Sequence, residues 1–173
     1  RREHVQPIKK EKNTMKMLKK QHLIFSITII FFLNISILKA ELKTPNNQII
    51  PSDVIKIQLV GLMNNDKEHL DSGIEQTWNF AHPNNKQNTG PLPKFKMMIK
   101  GNSYKMLIDH LSHTITQLGA GDDWAQFEVI ILDKDKIYHK FNWQVEKYTL
   151  DGPLKDCWLT TIVSSPISLG SSI

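Results

Sequence analysis

The chain has 173 residues, of which 22 are Lys or Arg and 17 are Asp or Glu, giving a formal net charge of +5. Nine of the basic residues but only two of the acidic ones lie in residues 1–40, so the remainder of the chain is mildly acidic. Binding to a phosphate backbone needs clustered positive charge, and nucleic acid is therefore excluded as the expected partner. The single cysteine, Cys157, excludes an intramolecular disulfide and a zinc site built on thiolates.

Residues 15–40 resemble a targeting segment. Met15 begins a short basic run, residues 22–38 are mostly apolar, and Ala40 occupies a plausible cleavage position, which are the parts of a secretory signal peptide. A membrane-spanning helix needs about 20 apolar residues, and this segment is shorter. We therefore predict an exported protein, periplasmic or secreted, with an uncleaved N-terminal membrane anchor as the alternative. Residues 1–14 precede the first methionine and are interpreted as an upstream extension outside the native fold.

A polar linker at residues 41–50 precedes a predicted single domain at residues 51–163. The domain begins with three segments in which apolar residues recur every three or four positions, as in amphipathic helices. These segments are "PSDVIKIQLVGLMNND", "DSGIEQTWNFA" and "GPLPKFKMMIKG". Ser52 is expected to cap the first helix, and Ser72 and Glu75 have the spacing of a capping box in the second.

The stretch at residues 78–95 is interpreted as an ordered connector between the second and third helices. Its proline and amide side chains can end one helix, and Thr89 or Gly90 can cap the next. His82 and Asn84 lie at the polar tips of this connector, where they are candidates for ligand binding at the mouth of a pocket.

From residue 109 onward the periodicity changes from helical to alternating. Four strands are predicted, at "HLSHTITQL", "WAQFEVIIL", "IYHKFNWQVEKYT" and "KDCWLTTIV", with a hairpin turn at residues 133–136. Residues 164–173 are interpreted as a flexible, frayed tail. Helices followed by an antiparallel meander with one polar face predict an α+β fold, in which the N-terminal helices pack on the apolar face of the sheet.

A long motif runs through the predicted helices and reappears near the last strand. Its residues are Phe80, Ala81, Pro83, Asn85, Thr89, Gly90, Pro91, Phe95, Tyr104, Leu107, Gly152, Pro153, Cys157 and Trp158. The motif resembles that of the family called domain of unknown function 4864, in which a serine stands where this chain has His82. The resemblance covers residues 52–163.

The order of helices before a curved sheet is also similar to that of the nuclear-transport-factor-2-like superfamily. The resemblance implies a cone-shaped fold whose antiparallel sheet wraps a pocket. That superfamily includes ketosteroid isomerases, dehydratases, epoxide hydrolases and many proteins without catalytic activity, so the implied fold leaves the function open.

Two histidines are candidates for acid–base chemistry. His113 and His139 each lie on the apolar face of a predicted strand, where an imidazole can exchange protons near neutral pH; the alternative is a core histidine with hydrogen-bonded nitrogens. Asp109 is the nearest candidate for a partner carboxylate, expected near the pocket mouth. Tyr104 and Trp143 are candidates for lining a small apolar cavity, with ordinary core packing as the alternative.

The sequence contains no strong catalytic motif, and neither a metal nor another cofactor is expected. We therefore predict a non-enzymatic domain that binds a small apolar ligand or a protein partner on the concave face of the sheet. The alternative is an isomerase, dehydratase or hydrolase that uses a pocket histidine with an aspartate. A homodimer formed through the outer face of the sheet is left open.

Overall fold

The computed structural model describes residues 41–171, and the predicted extension and signal segment at residues 1–40 lie outside the described residues. Four α-helices and one 3-10 turn come first. They are α1 (Pro51–Met63), α2 (Ser72–Asn79), α3 (Pro83–Thr89), α4 (Leu92–Lys100) and the turn Lys105–Leu107. None of the helices in this part of the chain has the length and hydropathy of a membrane span.

An antiparallel sheet follows the helices. Its strands are β1 (Ser112–Ala120), β2 (Trp124–Leu132), β3 (Ile137–Lys147), β4 (Trp158–Val163) and β5 (Ile167–Ser171). The order across the sheet is β1-β2-β3-β4, and β5 pairs with the part of β3 that lies beyond β4. The predicted α+β class, with helices preceding an antiparallel sheet, is confirmed.

One face of the sheet is covered by the helices and forms the core. Side chains along β2 and β3 alternate between buried and more exposed, as the period of a strand requires. The central residues of this core are Ile55, Leu59, Leu62, Ile74, Phe95, Ile99, Phe127, Val129, Ile131, Phe141, Trp143 and Val145. The opposite face of β3 is largely polar, so the sheet buries one side only.

The structure corrects the predicted helix starts. α1 begins two residues earlier than a cap at Ser52 would place it, because Pro51 occupies its first position and Ile50 is the N-cap. Ser72 lies inside the first turn of α2, where its hydroxyl donates 2.7 Å to the backbone oxygen of Asn65 rather than capping the helix. The capping-box prediction was therefore wrong, since the N-cap of α2 is Asp71.

Two segments that looked irregular in the sequence are regular in the structure. The connector contains a full helix, α3, because Pro83 is favourable in a first turn and the His82 ring accepts a hydrogen bond from the Asn84 backbone N–H. In the predicted frayed tail, residues 167–171 pair with β3 as β5. This pairing satisfies backbone groups of β3 at Ile137–Lys140 that β4 is too short to reach.

A buried hydrogen-bond network joins the helices to the sheet. The Thr160 hydroxyl of β4 donates 2.6 Å to Gln58 Oε1 of α1 and accepts 3.2 Å from Trp143 Nε1 of β3. Gln58 Nε2 donates 3.0 Å to the backbone oxygen of Thr77 in α2. All four residues are buried, so each polar atom depends on its partner in this network.

Replacing Thr160 with valine keeps the side-chain shape but removes the hydroxyl. We expect Thr160→Val to lower the free energy of unfolding by about 2–4 kcal/mol, because it leaves the buried Gln58 oxygen and Trp143 N–H without partners. Urea unfolding followed by circular dichroism measures this loss. The control Thr114→Val, on an exposed position of β1, should change stability by less than about 0.5 kcal/mol, and equal effects of the two substitutions would contradict the assignment.

Candidate functional site

A groove lies where the turn between β1 and β2, the end of β3 and the start of α3 meet. Its volume is about 680 Å³. We call it the sheet-end groove and define it by the residues that line it, which are His82, Pro83, Asn84, Gln87, Asp123, Trp124, Gln144, Glu146, Lys147, Tyr148, Thr149 and Leu150. Of the residues predicted from the sequence to bind a ligand, His82 and Asn84 lie in this groove.

The indole of Trp124 is the largest aromatic surface in the groove. A side-chain carbon at Gly121 would lie 2.5 Å from the Trp124 Nε1, and one at Gly119 would lie 3.3 Å from the far edge of the ring. The indole therefore rests against the backbone of the preceding hairpin, and at position 121 only glycine leaves room for the ring in this position. Trp124 remains 41% exposed, so part of the ring is available to a ligand.

The opposite wall of the groove is built by the start of α3. The backbone N–H of His82 donates 2.8 Å to the Thr160 oxygen, and the His82 and Tyr148 rings are 5.5 Å apart between centroids. Burial lowers the pKa of His82 below its usual value, while the negative charge of Glu146 opposes this shift. The ring is therefore mainly neutral at pH 7, with a nitrogen that caps α3.

The floor of the groove carries carboxylate and amide groups on β3. Glu146 Oε1 accepts hydrogen bonds from Gln144 Nε2 at 2.7 Å and from the Thr161 hydroxyl at 3.2 Å. Lys147 donates its backbone N–H to the Asp123 oxygen at 2.8 Å, which ties the hairpin to β3. Its ammonium lies 5.1 Å from the centroid of the Trp158 ring, which does not line the groove.

The groove thus combines an exposed indole with hydrogen-bond donors and acceptors that point into an open, polar space. Side-chain amides supply both kinds of group, and carboxylates supply acceptors only. This composition suits a polar ligand that is held by several directed hydrogen bonds and one stacking contact.

A second, internal cavity adjoins the predicted cavity-lining residues Tyr104 and Trp143, and its volume is about 90 Å³. The Tyr104 hydroxyl donates 3.2 Å to the Val163 oxygen, and Trp143 is held by Thr160. Both aromatic side chains are therefore fixed by core contacts. The space beside them has room for about three water molecules at their share of the liquid volume.

His113 has a histidine partner rather than Asp109. Nδ1 of His110 donates 2.7 Å to the Leu107 backbone oxygen, so its Nε2 accepts the 2.7 Å hydrogen bond from His113 Nδ1. Burial lowers the pKa of both histidines. Asp109 adopts a positive φ of 56° and donates its backbone N–H to the Leu62 oxygen, so its local role is in the turn before β1.

We expect His110 to become protonated at a lower pH than an exposed histidine does, because burial lowers its pKa. Because its pKa in the folded state lies below the ordinary value of 6.5, its contribution to stability is present above pH 6.5 and is lost as the pH falls through the lowered pKa. An NMR titration of the imidazole nitrogens measures the pKa and identifies the tautomer. A pKa above 6.5, or a proton on Nε2 rather than Nδ1 at neutral pH, would refute this assignment.

His139 pairs with a carboxylate that the sequence did not single out. Its Nε2 lies 2.7 Å from Asp133 Oδ2, and both residues are buried. Asp133 Oδ1 also accepts backbone N–H groups from Asp135 and Ile137, each at 2.9 Å. Burial raises the pKa of Asp133, but the bonds from Ile137 and His139 outweigh it and lower the pKa below its usual value. The pair joins β3 to the turn that precedes it.

Replacing Asp133 with asparagine tests the strength of this pair. We expect Asp133→Asn to lower the free energy of unfolding at pH 7 by about 2–3 kcal/mol, because a buried, charge-assisted hydrogen bond is lost. The difference from the unsubstituted chain should shrink as the pH falls from 3.8 through the lowered pKa of Asp133. Chemical unfolding across this pH range measures it.

Asp135→Asn is the matched control, because Asp135 is exposed in the same turn. It should leave stability within about 0.5 kcal/mol of the unsubstituted chain. A loss at Asp135 as large as that at Asp133 would mean that turn charge in general, and not the pair with His139, stabilises the hairpin.

The structure brings the predicted residues together in separate groups rather than in one site. His82 and Asn84 share the sheet-end groove, and Tyr104 and Trp143 share the internal cavity. His113 and His139 both lie opposite Ile131 in the strand register. They are therefore two strand spacings apart, or roughly 10 Å between their Cα atoms.

Trp124 was missed as a candidate. The only local signal was the hairpin sequence "GAGDDW", whose glycines look like ordinary turn residues. Among residues 41–171, no group of three or more His, Cys, Asp or Glu side chains is arranged to hold a metal ion. Comparison of this chain with known protein families, curated proteins and solved structures finds no match.

Proposed function

We propose that this domain is a non-enzymatic binding module whose ligand occupies the sheet-end groove. One observation carries the proposal, namely that the Trp124 indole rests against Gly119 and Gly121 at the wall of a groove of about 680 Å³ while 41% of the residue stays exposed. An aromatic side chain positioned in this way loses little conformational entropy when a ligand covers it, and tryptophan is enriched among the residues that dominate binding energy.

The small size of the internal cavity favours the sheet-end groove, rather than the concave face of the sheet, as the ligand's location. Pockets for small molecules have volumes of about 300–1,000 Å³, whereas the internal cavity beside Tyr104 and Trp143 has about 90 Å³. Trp143, which lines this cavity, is held in place by its hydrogen bond to Thr160. We therefore propose a ligand outside the core.

We further infer that the chain is exported and has a cone-shaped, nuclear-transport-factor-2-like fold related to domain of unknown function 4864. The sequence pattern at residues 15–40 supports export. The motif that extends from Phe80 to Trp158 supports the family relationship, and helices before an antiparallel sheet support the fold.

Acid–base catalysis by His139 with Asp133 is the second candidate function, and the 2.7 Å contact between them favours it. Catalysis requires an imidazole nitrogen within reach of a substrate. Asp133 uses its other oxygen to hold the turn, and neither residue lines the sheet-end groove or the internal cavity. These contacts support a structural role, and the binding function remains the proposal.

A binding screen with two matched substitutions tests the proposed function. The full chain is screened against oligosaccharides, peptides and apolar small molecules, and each hit is measured again with Trp124→Ala and Tyr138→Ala. Tyr138 is 37% exposed on the same face of the sheet but lies eight residues before Glu146 along β3, roughly 26 Å away. We expect Trp124→Ala to weaken binding about tenfold or more, and Tyr138→Ala to leave it unchanged.

Two outcomes would overturn the proposal. If a compound still binds the Trp124→Ala variant but no longer binds the Tyr104→Ala variant, the ligand site is on the concave face. Turnover of ester, hydroxyacyl or ketosteroid probes that disappears with His139→Ala would establish the catalytic alternative.

A further inference from the structure

We propose that the sheet-end groove binds a carbohydrate chain, with one sugar ring lying flat on the Trp124 indole. This inference rests on the proposed function and names the chemical class of its ligand. It follows from three features of the groove. These are the position of the indole, the kind of polar groups around it, and a shape and charge that suit neither peptides nor phosphate-bearing nor purely apolar ligands.

The indole offers the flat apolar surface that a pyranose ring needs. One face of a pyranose carries several C–H groups, which are weakly polarised and apolar enough to be buried. The face of an indole is the negative side of its quadrupole and attracts such positively polarised groups. Because the hairpin backbone at Gly119 and Gly121 already supports the Trp124 ring, stacking requires little further ordering of the side chain.

The polar groups around the indole match the hydroxyl groups of a sugar. Each hydroxyl both donates and accepts, so neighbouring hydroxyls are best held by planar groups with paired donors and acceptors. Asn84, Gln87 and Gln144 supply amides, and Asp123 and Glu146 supply carboxylates. Both hydrogen bonds to Glu146 end on Oε1, and Oε2 receives none from the described residues, which leaves that oxygen able to accept from a ligand.

The groove is poorly suited to a peptide. Peptides that add a strand need an open sheet edge, but on the edge of β4 beside the groove both backbone groups of Thr160 are already paired with Phe80 and His82. Peptides that bind through anchor side chains need a desolvated apolar pocket. Leu150 lines the groove but is 65% exposed, so it does not enclose such a pocket.

Other ligand classes are disfavoured by charge and polarity. Two carboxylates, Asp123 and Glu146, line the groove together with one cation, Lys147, whose ammonium lies over the Trp158 ring outside the lining. The groove is therefore acidic on balance, which disfavours nucleotides and phospholipid head groups. A purely apolar ligand would leave the groove's amides and carboxylates without hydrogen-bond partners. A neutral or amine-bearing sugar chain satisfies both constraints, since it supplies hydroxyl donors to the carboxylates and an apolar face to the indole.

A glycan array with neutral, acidic and amino-sugar polymers tests the proposal on the full chain. Binding to at least one neutral or amine-bearing polymer is expected, and its soluble oligosaccharide should shift the NMR signal of the Trp124 indole N–H on titration. Trp124→Ala should weaken this binding about tenfold or more. Tyr138→Ala, the exposed aromatic control on the same face of the sheet, should leave it unchanged.

Gly121→Ala gives a sharper test because it keeps the tryptophan. The added carbon would lie 2.5 Å from Trp124 Nε1, so the indole must move from its position. We expect sugar binding to weaken severalfold, with an unchanged melting temperature as the check that the fold is intact. Sugar binding that is indifferent to both Trp124→Ala and Gly121→Ala would overturn the proposal.

The remaining outcomes separate this inference from the proposed function. If no polymer on the array binds while a peptide binds in a Trp124-dependent manner, the carbohydrate inference fails and the binding function of the groove stands. If no oligosaccharide, peptide or small molecule binds in a Trp124-dependent manner, both fail.

Discussion

The hydroxyl of Thr160 is the point on which the arrangement of the helices and the sheet depends. It joins Gln58 of α1 to Trp143 of β3 inside an apolar core, and Gln58 extends the connection to α2. A buried polar group without a partner is costly, so this network disfavours other packings of the helices on the sheet that would separate these atoms. The apolar contacts around it supply most of the driving force, but they are less directional.

The backbone groups of Thr160 also fix the position of the surface helix α3. Its N–H donates to the Phe80 oxygen and its oxygen accepts from the His82 N–H, each at 2.8 Å, so β4 holds the chain just before α3. Asn85 Nδ2 reaches the same oxygen at 3.3 Å. The start of α3 is therefore fixed beside the end of β3, and this placement creates one wall of the sheet-end groove.

The core is apolar and filled, whereas the sheet-end groove is polar and open, because the two lie at different places in the fold. The helix-covered face of the sheet is filled by apolar side chains and a satisfied polar network, which leaves a cavity of only about 90 Å³. The sheet-end groove lies at the margin of this core, at the end of β3, where polar side chains face open space. The resemblances predicted an internal pocket, whereas the sheet-end groove, with a volume of about 680 Å³, lies outside the core.

Local periodicity explains which parts of the fold could be predicted. The alternation of Phe127, Val129 and Ile131 is a property of consecutive residues, and it identified β2 and its buried face without tertiary information. β5 could not be predicted in this way, because its pairing depends on how much of β3 remains beyond β4. The helix α3 was hidden for a related reason, since its sequence is polar throughout and carries no apolar stripe.

The sequence by itself determined the α+β class, the order of helices before an antiparallel sheet and the buried faces of the central strands, because each follows from patterns within about ten residues. Only the tertiary structure decided that His139 pairs with Asp133, that His113 pairs with His110, and that His82, Trp124 and Glu146 meet in one groove. Those pairings depend on the direction of individual side chains, and the groove joins residues more than twenty positions apart. Sequence periodicity shows which face a residue occupies, but packing decides which atoms it meets there.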